Sequence, residues 1–69
     1  MIISTRNTLK GKIKNIELGA VNAEITLEIA PGVEVVSVIT KSSAERLGLA
    51  ESKSAYALIK ATDVAIAVD

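Results

Sequence analysis

The segment Leu9-Lys10-Gly11-Lys12-Ile13-Lys14 alternates apolar or small residues with cations. That period of two marks a strand with one face buried. Further on, at Ile16 and Leu18, the apolar residues move from odd to even positions. A strand cannot change the face it buries without an inserted residue, so a β-bulge is expected near Lys14-Asn15. Gly11 lets the same strand bend. The chain therefore begins with one long, bent strand.

The rest reads as further strands. Gly19-Ala20-Val21-Asn22 is the first turn, and residues 23–29 carry the cleanest alternation in the chain. Ala30-Pro31-Gly32 is a turn by its proline and glycine. Residues 33–40 form a third strand with Val36 and Val38 on one face and Val33, Val35 and Ile39 on the other. Apolar residues on both faces place it in the core or in a subunit contact. Ser42-Ser43-Ala44-Glu45 has the pattern of a capping box, and Gly48 stands where a helix would end. One short helix over about 42–47 follows. After the polar loop Glu51-Ser52-Lys53-Ser54, residues 55–60 and 64–68 are the last two strands, joined by the tight turn Ala61-Thr62-Asp63. The expected fold is all-β: a five-stranded OB-like barrel with one short helix between strands 3 and 4, spanning 1–69 as a single domain. An SH3-like barrel is the nearest competitor.

Size constrains how such a barrel is completed. A domain of 69 residues buries only about 60% of its unfolded surface. With no cysteine, no histidine and a single aromatic residue, Tyr56, neither disulfides nor a zinc site nor bulky rings add to the core. The apolar load, 49% of the residues, is small aliphatics, so the core is expected to be finished in an oligomer.

Charge and sequence pattern narrow the function. The net charge is +0, from 8 basic and 8 acidic residues, which argues against a dedicated nucleic-acid or membrane-surface protein. No apolar run is long enough to cross a bilayer. Met1-Ile2-Ile3-Ser4 is too short for a signal peptide, so a cytoplasmic location is expected. Catalysis has no support: there is no histidine or cysteine for acid–base or nucleophilic work, and the glycines are too scattered for a phosphate loop. No bare metal cation and no cofactor is expected.

What remains is a set of hydroxyls, amides and cations suited to holding an oxyanion. Ser4 and Arg6 share one side at strand spacing, though an exposed arm with a weak surface ion pair would look the same. Thr40 and Ser43 flank a helix start, where free amides favour an anion; a plain helix cap shares that geometry. Lys60 ends a strand before the Ala61-Thr62 turn, a point charge beside amide donors or an ordinary strand-end lysine. Lys10, Lys12 and Lys14 form a basic stripe. Single-strand binding would also need aromatic platforms, so a solvated face paired with Glu24 and Glu28 is the simpler account.

Taken together, these segments resemble the molbindins, molybdate-binding proteins built from a Mop (TOBE-type) domain. The likeness lies in Ser4-Thr5-Arg6-Asn7-x-Leu9-x-Gly11, Gly19-Ala20-Val21-Asn22-Ala23-Glu24, Thr40-x-x-Ser43 and Lys60-Ala61-Thr62-Asp63-Val64, and it covers essentially the whole chain. The resemblance implies an OB-like fold, a homohexamer arranged as a trimer of dimers, and molybdate or tungstate held between subunits for storage and homeostasis. One subunit would supply Ser4, Arg6, Lys60 and the backbone of Ala61, and a neighbour Thr40 and Ser43. A second oxyanion site near the threefold axis would involve Gly19, Ala20, Val21 and Asn22. Some family members carry serine where this chain has Ala61, which removes one hydroxyl. The alternatives are a small OB-like nucleic-acid-binding barrel and a purely structural assembly module.

Overall fold

The long bent strand organises the whole molecule. In the computed structural model, which describes residues 4–69, β1 runs from Arg6 to Leu18, β2 from Asn22 to Ala30, and β3 from Val33 to Thr40. Helix α1 covers Lys41–Arg46, and β4 covers Ser54–Lys60. Residues 1–3, on which the signal-peptide expectation mainly rests, lie outside the described residues. The strands form one sheet in the order β3-β2-β1-β4, antiparallel at each pairing. The N-terminal half of β1 pairs with β4, from Arg6↔Lys60 to Lys12↔Ser54. Its C-terminal half pairs with β2, from Lys12↔Glu28 to Leu18↔Ala23. Lys12 is the crossover, paired on both sides.

The expected bulge is present: the β1–β2 register shifts between Ile13 and Asn15, leaving Lys14 as the extra residue. Ile13 therefore points into the core at 1% exposure, while Ile16 packs against the same core from the shifted phase. Gly11 serves a close approach. A Cβ there would lie 2.4 Å from the Glu28 carbonyl oxygen, so only glycine lets β1 fold across the end of β2. Gly32, at φ +76°, closes the β2–β3 turn in a conformation that L side chains rarely adopt.

The core is small and aliphatic. Ile13, Ala23, Ile25, Leu27 and Ala44 are buried, with Ile16, Ile29, Ile39, Leu49, Ala55 and Ala57 packed around them. Ala44 brings α1 against the core. The loop after α1 is tied to β1 by Ile13 N–H donating to Lys53 O at 2.9 Å and Ser52 N–H donating to Ile13 O at 2.8 Å.

Three expectations are corrected or narrowed. Among the described residues the sheet has four strands, not five, and residues 64–68 pair with none of them. The turn before them is a 3-10 turn over Ala61–Asp63. Val64, Ile66 and Val68 are 47%, 86% and 92% exposed, so a segment with strand-like alternation stands outside the sheet of the described residues. Second, β3 is an edge strand, with Val33, Val36 and Val38 exposed. Ile39 packs against the core while Val36 and Val38 do not, so of the two expected surroundings the core fails only for the face that carries Val36 and Val38. Third, the helix starts one residue earlier than expected. Its cap is Thr40, at extended φ −69° and ψ 149°, whose side chain accepts from Ser43 N–H. Thr40 ends β3 and opens α1 with no residue between, so Ser42 falls inside the helix.

The curled sheet leaves an opening. An apolar groove of about 520 Å³ separates the β3 edge (Val35, Val36, Ile39) from the β4 edge (Tyr56, Leu58), with Ile25 and Leu27 among its lining residues. The barrel is open along the line where a fifth strand would lie.

Candidate functional site

Two donor-rich patches form, and β1 separates them. The first stands where β1 begins. Arg6 and Lys60 are Cα partners at the end of the β1–β4 ladder, and both are exposed along with Ser4 and Ala61. Arg6 has φ +74°, an uncommon conformation for a residue with a side chain. Such strain persists where the surroundings impose it and concentrates at functional positions. The constraint here is visible on both flanks. On one side, Ala61 N–H donates to Thr5 O at 3.1 Å; on the other, Asn7 Nδ2 donates to Ile59 O at 3.1 Å. The Ala61 amide is thus engaged inside the chain, and its first role is to lock Thr5-Arg6 onto the turn that follows Lys60.

The second patch stands where α1 begins. Thr40 Oγ1 accepts from Ser43 N–H at 3.1 Å and donates to Ser43 Oγ at 2.7 Å. Ser43 Oγ also accepts from Arg46 Nη2 at 3.2 Å. A hydroxyl has one donor and two acceptor positions. With both acceptor positions filled, Ser43 has its own hydrogen left for an outside acceptor. Arg46 behind it polarises that hydroxyl.

The Gly19–Asn22 turn joins this second patch. Asn22 is the register partner of Thr40. Lys41 N–H donates to Val21 O at 2.7 Å, and Gly19 N–H donates to Asn22 O at 2.8 Å. The predicted residues therefore fall into two groups, Ser4, Arg6, Lys60 and Ala61 in one and Thr40, Ser43 and the Gly19–Asn22 turn in the other. No hydrogen bond joins the two groups among the described residues: one stands at the end of β1 paired with β4, the other beside the end paired with β2.

The basic stripe is not a free cationic face. Lys14 sits at the bulge, bonded to Glu34 at 2.6 Å with Glu28 at 3.8 Å. The Glu34 hydrogen bond, with the charges of Glu34 and Glu28, holds its ammonium above the ordinary lysine value. Lys10 lies 5.9 Å from the centre of the Tyr56 ring, covering the chain's one aromatic. Glu24, expected beside a lysine, is the register partner of Glu17 instead. No group of three or more potential metal ligands converges among the described residues.

Thr5, named in the Ser4-Thr5-Arg6-Asn7 segment without a role of its own, lies half-buried between exposed Ser4 and Arg6. Thr5 Oγ1 has an accessible area below 1 Å² and no hydrogen-bond partner among the described residues. Only its position between Ser4 and Arg6 could have drawn notice to it.

Comparison with known proteins identifies the family and the fold. The TOBE domain pattern matches residues 3–66, and the chain belongs to that family. Molybdenum-pterin-binding protein 1 of Clostridium pasteurianum is 47% identical over 66 residues, covering 96% of this chain and 97% of the relative. Among solved structures, a molybdate-binding protein from Sporomusa ovata superposes with a TM-score of 0.91 at 37% identity, covering 99% of this chain and 100% of that one. The cytoplasmic molybdate-binding protein ModG, solved with molybdate bound, superposes with a TM-score of 0.84 at 49% identity, over 88% of this chain and 43% of its own. The curled antiparallel sheet with one short helix is thus the OB-like fold of the molybdate-binding Mop proteins.

Proposed function

We propose that this chain binds molybdate, and its near-isostere tungstate, for storage and homeostasis, at sites formed between copies. The observation that carries this is the separation of two complementary patches along β1. One offers Arg6 and Lys60 as paired cations with Ser4 beside them. The other offers the outward hydroxyl of Ser43, held by Thr40 and Arg46. A tetrahedral dianion needs both kinds of group, because burying it uncompensated is prohibitive. Two cations balance its charge, and hydroxyls and amides take its oxygens. Charge-assisted hydrogen bonds of this kind contribute about 1.5–3 kcal/mol each.

The chemistry favours the oxyanion over a pterin ring. A flat heterocycle wants aromatic stacking, and the lone Tyr56 ring has Lys10 over it. The protein holds the anion without chemistry on it: the chain has no histidine or cysteine, and its carboxylates are scattered singly. A cytoplasmic site of action accords with the relative ModG.

Assembly follows from the open barrel. The exposed 64–68 segment carries Val64, Ile66 and Val68, and the β3 and β4 edges face each other across an apolar groove. The same segment from a second copy fits that opening as the missing strand, pairing chains into dimers. Three such dimers make the hexamer. The Gly19–Asn22 turn, beside Thr40 in register, would line a second class of anion site where turns of three copies gather.

The direct test is isothermal titration with molybdate, with sulfate as the control, on the wild-type chain and on Arg6→Ala. Molybdate binding that is selective over sulfate and lost in Arg6→Ala is expected. Undiminished affinity in Arg6→Ala would overturn the assignment.

A further inference from the structure

We infer that Arg46 is a specificity-determining residue of the proposed site, and that it acts through Ser43 to disfavour oxyanions that carry a proton. This rests on the oxyanion reading above. Arg46 stands one helical turn after Ser43, and its Nη2 donates to Ser43 Oγ at 3.2 Å. Thr40 Oγ1 donates to the same oxygen at 2.7 Å. A serine hydroxyl has two acceptor positions and one hydrogen. Both acceptor positions of Ser43 are thus filled from inside the chain, and its hydrogen has no acceptor among the described residues. Thr40 is committed as well: its hydrogen goes to Ser43, and its oxygen accepts from Ser43 N–H at 3.1 Å. The free donor is therefore a side-chain hydroxyl and not an amide of the helix start. Arg46 is exposed and forms no ion pair among the described residues, so no carboxylate draws it away from Ser43.

Ser43 is left able to give a hydrogen bond and unable to receive one. Arg6 and Lys60 are donors only, by their chemistry. Molybdate and sulfate are fully deprotonated at neutral pH and present acceptors at all four oxygens. Inorganic phosphate keeps one or two P–O–H groups at that pH, and each such hydrogen needs an acceptor. Ser43, with its lone pairs held by Thr40 and Arg46, offers none, and a donor left unsatisfied in a closed site costs affinity. Removing the guanidinium frees one lone pair, so the Ser43 hydroxyl can turn and receive the phosphate hydrogen. Ser4 is the same in every variant at position 46, so a comparison there reads Ser43.

The experiment titrates the full chain with molybdate at neutral pH and fixed ionic strength, alone and against excess inorganic phosphate or excess sulfate. It compares the wild type, Arg46→Met and Arg46→Lys. The lost charge in Arg46→Met weakens all three anions, so the readout is each competitor's affinity relative to molybdate. Phosphate should gain about tenfold on molybdate in Arg46→Met, the effect of one donor newly satisfied, while sulfate gains nothing. Arg46→Lys, whose ammonium also donates, should behave as the wild type does. Position 46 lies outside the core, so both variants should fold, and a melting curve of each checks this. Three results would each overturn the inference: phosphate competing no better in Arg46→Met than in the wild type, sulfate gaining as much as phosphate, or Arg46→Lys shifting as far as Arg46→Met. In each of these the wild type still binds molybdate and the oxyanion reading stands. A wild-type chain that binds no molybdate would overturn that reading and this inference with it.

Discussion

Arg6 and Lys60 are register partners at the last rung of the β1–β4 ladder. Like charges directly opposed across strands are destabilising, so this pairing counts against the fold unless something negative joins it. No carboxylate forms an ion pair with either residue among the described residues. On the proposed function, an anion at this ladder end would relieve that opposition.

Replacing one of these cations separates stability from binding. Lys60→Met should leave the melting temperature of the free protein unchanged or slightly raised, because repulsion across the rung is gone. On the proposed function, molybdate should raise the melting temperature of the wild type, since it would bind only the folded, assembled state. That shift should vanish in Lys60→Met. Differential scanning fluorimetry with an extrinsic dye, with and without molybdate, reads both effects.

Gly11 should tolerate no side chain. A Cβ would meet Glu28 O at 2.4 Å and Glu28 C at 2.9 Å, and both are backbone atoms that cannot swing aside. Gly11→Ala should cost about 1–3 kcal/mol, the usual range for overpacking, measured as a lowered urea midpoint. Gly32→Ala should destabilise by another route. Nothing stands near the added methyl, but φ +76° disfavours it.

The Lys14 cluster makes a prediction about pH. The Glu34 hydrogen bond, then the Glu34 and Glu28 charges, raise the Lys14 pKa above 10.5. A group whose pKa is raised by folding stabilises fully below its unfolded value and loses that contribution as pH rises through the folded value. The melting difference between wild type and Lys14→Met should therefore be constant from neutral pH to about pH 10 and shrink above it. The difference should be small throughout, because the pair is solvated.

The tail should matter to assembly more than to the fold of one chain. Residues 64–69 are exposed and contribute nothing to the buried core. Deleting them should leave the β-type circular dichroism of the free chain and lower the molar mass in light scattering coupled to size exclusion. An unchanged oligomer would show that another surface holds the copies together.

Local patterns were legible where one residue's environment is set by its near neighbours. The phase change at Ile16 located the bulge, because face alternation is a property of the strand itself. The two donor groups were legible as residue types, since hydroxyls and cations without histidine or cysteine narrow the chemistry. The fifth strand was misjudged for a physical reason. Residues 64–68 have strand alternation, but a strand needs an edge, and the edge is not fixed by the segment's own sequence. For the same reason the apolar faces of β3 could not be assigned to core or interface. The cap moved to Thr40 because β3 runs straight into α1, a junction that a capping-box pattern does not show. Thr5 was legible as part of the Ser4-Thr5-Arg6-Asn7 segment, but its unpartnered hydroxyl was not, because a missing partner is a property of the folded surroundings.

The central claim is that one anion site is built from two chains, and subunit complementation tests it most directly. Arg6→Ala and the double variant Thr40→Ala/Ser43→Ala each disable a different patch, and each alone should bind no molybdate. When the two are unfolded together, refolded as a mixture and titrated, a site pairing the intact Arg6 patch of one chain with the intact Ser43 patch of the other should reappear. Random pairing restores about one site in four at full affinity. A mixture that assembles as the wild type does yet binds no molybdate would contradict the shared site.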